Sequence, residues 1–267
     1  MLFSSAKLVN YYQLVALTFL SDFGQGSHYT ASFKGALYKE DLSLPFIEIN
    51  NQVGTNEISE TAYLSKMVFE DFPKGTIHII AIGTVAHAYN FHLIAKYKGH
   101  YFIAPNNALL SLIFGMEFDS YFIIPNPSKK ININDLYIPI IKRLLSGNLL
   151  SEFLEPIHEV KKQTLLKPGF VDGELIGSVL FVDNIGNAYT NISRQDIDNF
   201  FRDTPLHIKL SRHHVLERIS DDLSNFKPGD PYGYYTNHGF LVIALRGDSA
   251  ERLLNLRKYK PIIIQKR

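Results

Sequence analysis

Hydrophobic and polar positions alternate between two textures along the first two thirds of the chain. Short apolar runs predict strands, and segments with apolar positions three or four apart predict helices. Gln13 to Leu20 is apolar and β-rich and predicts a first strand, followed by a turn-rich loop from Ser21 to Ser27 that holds two glycines. Tyr29, Phe33, Ala36 and Leu37 share one face of a helix, and Phe46 to Ile49 predicts a second short strand. Glu57 to Phe72 predicts a helix with Ile58, Ala62 and Met67 near one face, ended by Pro73 and Gly75. Ile77 to Ile82 is the largely apolar run of a strand covered on both faces. His92 to Tyr97 and Tyr101 to Ala104, joined by Lys98-Gly99-His100, predict a hairpin, and Ala108 to Phe114 returns to helix. Alternating strands and helices predict an α/β domain with a mostly parallel sheet.

The texture changes after about residue 150. A polar segment lies between Pro156 and Pro168, and a domain boundary near residue 160 divides an N-terminal α/β domain (1–160) from a C-terminal domain (161–267). In the latter, Gly173 to Val182, Gly239 to Leu245 and Lys260 to Gln265 are β-like, separated by glycine and proline turns. Ser193 with Asp196 predicts a capping box at the start of one short helix containing Ile197, Phe200 and Phe201. This half predicts a small β-rich domain.

Composition narrows the classes. With 46% hydrophobic and 20% charged residues among 267, the chain has the material for buried cores and is not disordered. The 27 basic and 26 acidic side chains leave a net charge of +1, which argues against a nucleic-acid partner. There is no cysteine, so disulfides, thiolate metal sites and thiol nucleophiles are excluded, and a cytoplasmic location is expected. The apolar run from Leu14 to Leu20 has only Lys7 before it and no small-residue cleavage site after it, so it reads as a strand rather than a leader. No apolar stretch approaches the roughly 18–20 residues of a membrane span, and no membrane partner is expected.

The most informative local site is Ser21-Asp22-Phe23-Gly24-Gln25-Gly26-Ser27. Loops at the carboxyl ends of strands bind ligands in α/β sheets, and a carboxylate there can accept two hydrogen bonds from a ribose diol. Asp22 could equally cap the following helix or turn. Gly24-Gln25-Gly26, with Glu48 further on, begins a dinucleotide fingerprint, but Tyr29 stands at its third glycine and would push the helix off the sheet. Asn106-Asn107, the segment Val182 to Ile192, and Thr236-Asn237-His238-Gly239 place carboxamides and other polar groups in loops. Each could be a turn or a site. Ten histidines include His87 with His92 and the pair His213-His214, yet no helical H-x-x-x-H occurs and no metal site is expected.

Taken in order, LTFLSDFG, SFKGALY, FPKGTIHIIAI, GHYFIAPNNALLSL, IGSVLFVDNIGNAYTNI and NHGFLVIALRGDSAERLL resemble one family from about Leu14 to Ile264. The chain is similar to the S-adenosylmethionine hydroxide adenosyltransferases, which include the fluorinase and chlorinase enzymes. The resemblance implies an N-terminal α/β sandwich domain and a C-terminal β-barrel-like domain. It also implies a homotrimer with S-adenosylmethionine, as substrate or ligand and with no other cofactor, bound between neighbouring subunits. Members displace methionine from the ribose 5′ carbon with water or a halide. By resemblance, Asp22 grips the ribose hydroxyls, Asn187 recognises adenine and Asp183 lies near the methionine amine. Tyr189 takes a position that is often aromatic, and Asn237 with His238 occupies the segment that binds the methionine carboxylate.

The departures point elsewhere. Hydrolase members carry an aspartate, an arginine and a histidine at positions that register with Gly83, Asn90 and Asn132, and the acid of the first loop is replaced by Ser27. The Asn106-Asn107 pair resembles the halogenases, but the loop from Gly83 to Asn90 lacks their tyrosine and threonine. His87, Tyr89 and His92 are the substitute bases on offer. Three readings follow: a hydrolase giving adenosine and methionine with slow or rebuilt chemistry; a catalytically silent adenosine- or S-adenosylmethionine-binding protein; and an enzyme acting on another adenosine derivative.

Overall fold

The computed structural model describes residues 16–55, 57–84, 91–115, 118, 120–126, 132–163, 166–202, 204–211 and 214–267. The chain divides into two compact units, Met1–Thr164 and Leu165–Arg267.

The first unit is built on a six-stranded sheet. Its strands are β1 (Leu17–Ser21), β2 (Phe46–Asn50), β3 (Ile77–Ala81), β4 (Phe91–Tyr97), β5 (His100–Pro105) and β6 (Ser120–Pro125), in the order β2-β1-β3-β5-β4-β6. The first four in that order run parallel, and β4 pairs antiparallel with both β5 and β6. Helices α1 (His28–Glu40) and α4 (Ile133–Leu145) pack together, as do α2 (Ile58–Val68) and α3 (Leu109–Phe114). Alternation along β3 shows how the sheet is filled on both faces. Ile77, Ile79 and Ala81 join the core with Phe33 and Leu37 of α1 and Tyr137 of α4, while His78 meets Phe69 and Phe102. Every residue of β1 and β3 is buried, which explains their largely apolar character.

Helix faces differ in detail from the periodicity. On α1 the buried residues are Thr30, Phe33 and Leu37, whereas Tyr29 leans toward Phe23 and is 43% exposed. On α2, Thr61, Ala62, Tyr63 and Ser65 are buried, and the helix passes into a 3-10 turn, Phe69–Asp71, before Pro73. Helix α4 runs through Pro139 and buries Ile133, Leu136, Tyr137, Ile140 and Ile141.

The second unit is an antiparallel, barrel-like sheet. Its strands are β7 (Gly169–Val171), β8 (Glu174–Val182), β9 (Ala188–Ser193), β10 (Leu206–Lys209), β11 (Val215–Leu216), β12 (Pro231–Tyr235), β13 (Phe240–Leu245) and β14 (Pro261–Lys266). The path runs β11-β10-β14-β8-β9-β13-β12, with β7 paired to β8 beside it. A bridge between Ile219 and Gly233 ties the segment after β11 to β12 and so nearly closes the ring. Strand β8 is long enough to pair with β14 along one half and β9 along the other. At Gly177 the neighbouring strand approaches so closely that a Cβ would stand 2.6 Å from Asn191 Oδ1, and only glycine fits. Leu175, Val179, Ile192, Leu241, Ile243 and Ile262 fill the interior with Ile197 and Phe201 of α5 (Arg194–Phe201) and Leu254 of α6 (Ala250–Leu254). The capping box opens α5 as expected: Ser193 Oγ accepts from Asp196 N at 3.1 Å, and Asp196 Oδ2 accepts from Ser193 N at 2.8 Å.

Candidate functional site

In the parallel part of the first unit, β1 leads to β2 on one side and β3 returns on the other side of β1. The chain order therefore reverses between β1 and β3, and the crevice beyond their carboxyl ends is where ligands bind in open α/β sheets. Asp22 follows β1 directly, and its Oδ2 accepts a 2.9 Å hydrogen bond from the Gly83 N–H beyond β3, so one contact spans the switch point. Gly83 has φ +69, a conformation glycine adopts without strain, and it serves Asp22 through its backbone. Asp22 caps no helix: the cap of α1 is Ser27, whose side chain accepts from Tyr29 N at 3.2 Å. Gly24 N donates to Asn51 O at 2.7 Å, which ties the same loop to the end of β2.

The other polar side chains of this unit that the sequence singled out are committed to the fold. Asn106 Oδ1 accepts from Lys161 N (3.1 Å), and Asn107 accepts from Leu109 N (3.1 Å) while donating to Ile82 O (3.4 Å). Asn132 is the N-cap of α4: its Oδ1 accepts from Asn134 N at 3.0 Å, and its amide donates to Asp135 at 2.9 Å. Asn132 and Asp135 also line a largely aliphatic cleft of about 730 Å³ with Ile140, Arg143 and Phe153. From Ala81 to Thr84 no residue is ionisable. His92 is fully buried, its Nδ1 lies 2.6 Å from Tyr137 Oη, and burial lowers its pKa to about 4. Asn90, His87 and Tyr89 fall outside the described residues, as does His213. Among the described residues, no three histidine, aspartate or glutamate side chains gather to hold a metal ion.

The second unit concentrates its polar groups in the loop between β8 and β9. Asp183 Oδ1 accepts from the backbone N–H of Asn187 (2.8 Å) and of Ile185 (3.1 Å), and Oδ2 accepts from Asn187 Nδ2 at 3.0 Å. The loop rests on α6. Glu251 N donates to Gly186 O at 2.9 Å, and a Cβ on Gly186 would come within 2.8 Å of the Ser249 Cα. Tyr189 stacks on Phe181 at 4.5 Å, with Asp183 and Tyr234 beside its phenol. Burial, more than these partners, pushes the Tyr189 and Tyr234 phenols up from their ordinary values. Phe181, Tyr189, Val242 and Tyr234 are cross-strand neighbours in one row. Leu241 and Ile243 alternate with Val242 into the interior, so this row lies on the opposite face of the sheet.

Asp183, Asn187 and Tyr189 are thus brought together, whereas Asn237 and His238 are not beside them. These two occupy the β12–β13 turn, which meets the far end of β9, where Arg194 N donates to Gly239 O at 2.7 Å. The two segments stand at opposite ends of the β9–β13 ladder, about 16 Å apart at a strand rise of roughly 3.3 Å per residue. Asn237 is exposed, and His238 Nε2 is buried with no hydrogen-bond partner among the described residues. The sequence reading missed Tyr234. The alternation of Tyr232 and Tyr234 in Pro231–Tyr235 puts both on one face and was the available signal.

Together these features define a two-unit protein: a parallel α/β sheet with an acid at its switch point, and a barrel-like sheet carrying a carboxylate–carboxamide loop. The same fold spans the full length of two solved proteins. One is described as an uncharacterized conserved protein from Thermotoga maritima (TM-score 0.81, 22% identity, covering 94% of this chain and 100% of that one). The other is a conserved hypothetical protein from Thermus thermophilus (TM-score 0.71, 18% identity, covering 95% and 100%).

Residues 17–154 match the N-terminal domain, and residues 177–263 the C-terminal domain, of the SAM hydroxide adenosyltransferases. The chain belongs to that family. It is 24% identical over 265 residues to the (R)-S-adenosyl-L-methionine hydrolase of Methanocaldococcus jannaschii, covering 90% of this chain and 92% of that protein.

Proposed function

We propose that this protein is an S-adenosylmethionine hydrolase that releases adenosine and methionine, working by orientation and desolvation in place of a charged triad. The observation that carries this reading is the Asp22 carboxylate, held by Gly83 N–H across the switch point, where it can accept from a ribose diol. Asn187 would recognise the adenine. In the reaction, water oxygen forms a bond to the ribose 5′ carbon as the C5′–S bond breaks. The electron pair of that bond goes to sulfur, giving the neutral thioether of methionine, and the attacking water releases a proton to solvent. The sulfonium is an excellent leaving group, so attack on it gains chiefly from alignment and from a dry site.

General acid–base catalysis contributes typically about 10²–10⁴-fold, and a rate lower by that order than that of triad-bearing relatives is the expectation. Assembly as a homotrimer sharing the ligand between neighbours, and a cytoplasmic site of action, belong to the same proposal. Among the described residues no helix is long and apolar enough to cross a membrane.

A second reading, a silent binding protein, is favoured by the engagement of Asn132 as a helix cap and the complete burial of His92. Chromatographic assay of adenosine from S-adenosylmethionine, with calorimetric titration of both compounds, separates the two. Adenosine release that Asp22→Ala abolishes supports the hydrolase. Tight binding without turnover supports the silent protein, and binding of neither ligand defeats both. A gel-filtration mass near that of a monomer would count against a shared site.

A further inference from the structure

The peptide that links Ile82 to Gly83 is gripped at both of its polar ends. Its N–H donates to Asp22 Oδ2 at 2.9 Å, and its carbonyl, Ile82 O, accepts from Asn107 Nδ2 at 3.4 Å. Ile82 is the first residue beyond β3, whose pairing with β1 ends at Ala81, so this peptide lies at the carboxyl edge of the sheet. Three elements meet through it: the end of β1, the end of β3 and the turn from β5 into α3.

The Asn107 amide has one orientation open to it. Its Oδ1 accepts from the Leu109 N–H at 3.1 Å, and a backbone N–H only donates, so the end that faces the Ile82 carbonyl is the NH2. Asn107 is 8% exposed. Ala108 after it has φ +74, a left-handed conformation uncommon for a residue with a Cβ. The Asn107 carboxamide spans that residue, and Ser111 Oγ donates to the Ala108 carbonyl at 2.8 Å. The turn is therefore held in an unfavourable shape, and strain of this kind gathers where a side chain must be aimed. Here the side chain aimed is Asn107.

Hydrogen bonds in series polarise one another, so a donor on a peptide carbonyl strengthens the N–H at the other end of the same peptide. The series here runs from Asn107 through the Ile82–Gly83 peptide to Asp22. We infer that Asn107 is a positioning residue for Asp22, acting through that peptide to fix how the carboxylate presents its other oxygen, Oδ1, to a ribose diol. Both ends of the Asn107 amide have partners within the protein, so it acts without touching the ligand. The inference rests on the adenosine reading of the site given above.

The test is calorimetric titration of adenosine and 2′,3′-dideoxyadenosine into the full chain and its variants, because their ratio isolates the diol from the base. With hydrogen bonds to a charged group at stake, adenosine should bind about 10–150-fold more tightly. Asp22→Ala should bring that ratio to within about threefold of unity. Asn107→Ser keeps an oxygen that can accept from the Leu109 N–H, but its hydroxyl falls short of the Ile82 carbonyl. It should lower the ratio by about threefold with dideoxyadenosine affinity unchanged, and should have no effect in the Asp22→Ala background. The coupling also runs backward. In heteronuclear NMR spectra, Asp22→Ala should shift the side-chain amide resonances of Asn107, a reading that needs no Asn107 variant to fold.

Equal weakening of both nucleosides by Asn107→Ser would make Asn107 a structural support of its turn and overturn the inference. So would a fall in the ratio that persists in the Asp22→Ala background, or Asn107 amide resonances that Asp22→Ala leaves in place. A diol preference that Asp22→Ala removes and Asn107→Ser spares defeats this inference alone. Equal affinity of the unaltered chain for both nucleosides, or binding of neither, defeats the adenosine reading along with it.

Discussion

The carboxyl edge of the parallel sheet and the β8–β9 loop treat their carboxylates in opposite ways. Among the described residues Asp22 accepts one hydrogen bond, from the Gly83 N–H, with nonionisable neighbours from Ala81 to Thr84. Asp183 accepts three hydrogen bonds from its own loop, two from backbone N–H groups and one from the Asn187 amide. A carboxylate with few internal partners is suited to meet a ligand's hydroxyls, whereas one with several organises its neighbours. The β8–β9 loop is thus the more tightly organised of the two, and on the proposed function it would hold the nucleoside while the Asp22 edge orients the ribose. That contrast is what a protein that keeps a nucleoside grip while relinquishing acid–base groups would display.

The contrast can be stressed first with acid, where the largest effect is expected. His78 and His92, both in the first unit, are held neutral by burial, with pKa values lowered to about 3 and about 4 from 6.5. Their unfolded counterparts take up protons near pH 6.5 that the folded state refuses. Stability is therefore fully present above that pH and lost as pH falls toward 4 and below. Each contributes up to about 1.4 kcal/mol per pH unit in that window, so the pair removes roughly 5 kcal/mol by pH 4.5. Hydrogen exchange followed from pH 7 to 4.5 should show the first unit opening before the barrel-like unit. Simultaneous loss of protection in both units would contradict this.

A smaller and more local effect is expected at Gly186. Its φ of +89 and the Ser249 backbone against it make Gly186→Ala destabilising by about 2–4 kcal/mol in urea unfolding. The same substitution should weaken adenosine binding, because it displaces the loop that carries Asn187. Smallest is Asn132→Ala, which removes a helix cap and should cost about 1 kcal/mol by the same measurement. A loss much larger than that would mean Asn132 does more than cap α4.

Much of the frame was legible in the sequence because it is local. The capping box of Ser193 and Asp196, the β4–β5 hairpin and the buried β3 are set by residues within a few positions of one another. The first-unit elements Ser120–Pro125 and Ile133–Leu145 were not legible in the same way. Pro125 and Pro139 punctuate those segments as if to break them, yet α4 runs on because four large side chains from Leu136 to Ile141 are buried in the core. The outer row of the barrel was also hidden. Tyr234 meets Tyr189 across Val242 only through strand pairing 45 positions away in sequence, which no local period reveals. Of the site, Asp22 and the segment Val182 to Ile192 could be picked out by residue type and loop position, and Asp183 and Asn187 within it by the family resemblance. The hydrogen bond to Gly83 and the three that Asp183 accepts within its loop required the fold.

The central claim is that the Asp22 edge still directs water onto the 5′ carbon of bound S-adenosylmethionine. Incubating the protein with S-adenosylmethionine in ¹⁸O-labelled water, followed by mass spectrometry of the products, tests it directly. The account predicts adenosine labelled at the 5′ oxygen, formed together with unlabelled methionine and absent with Asp22→Ala. Bound S-adenosylmethionine recovered intact, or adenosine carrying no label, would contradict it.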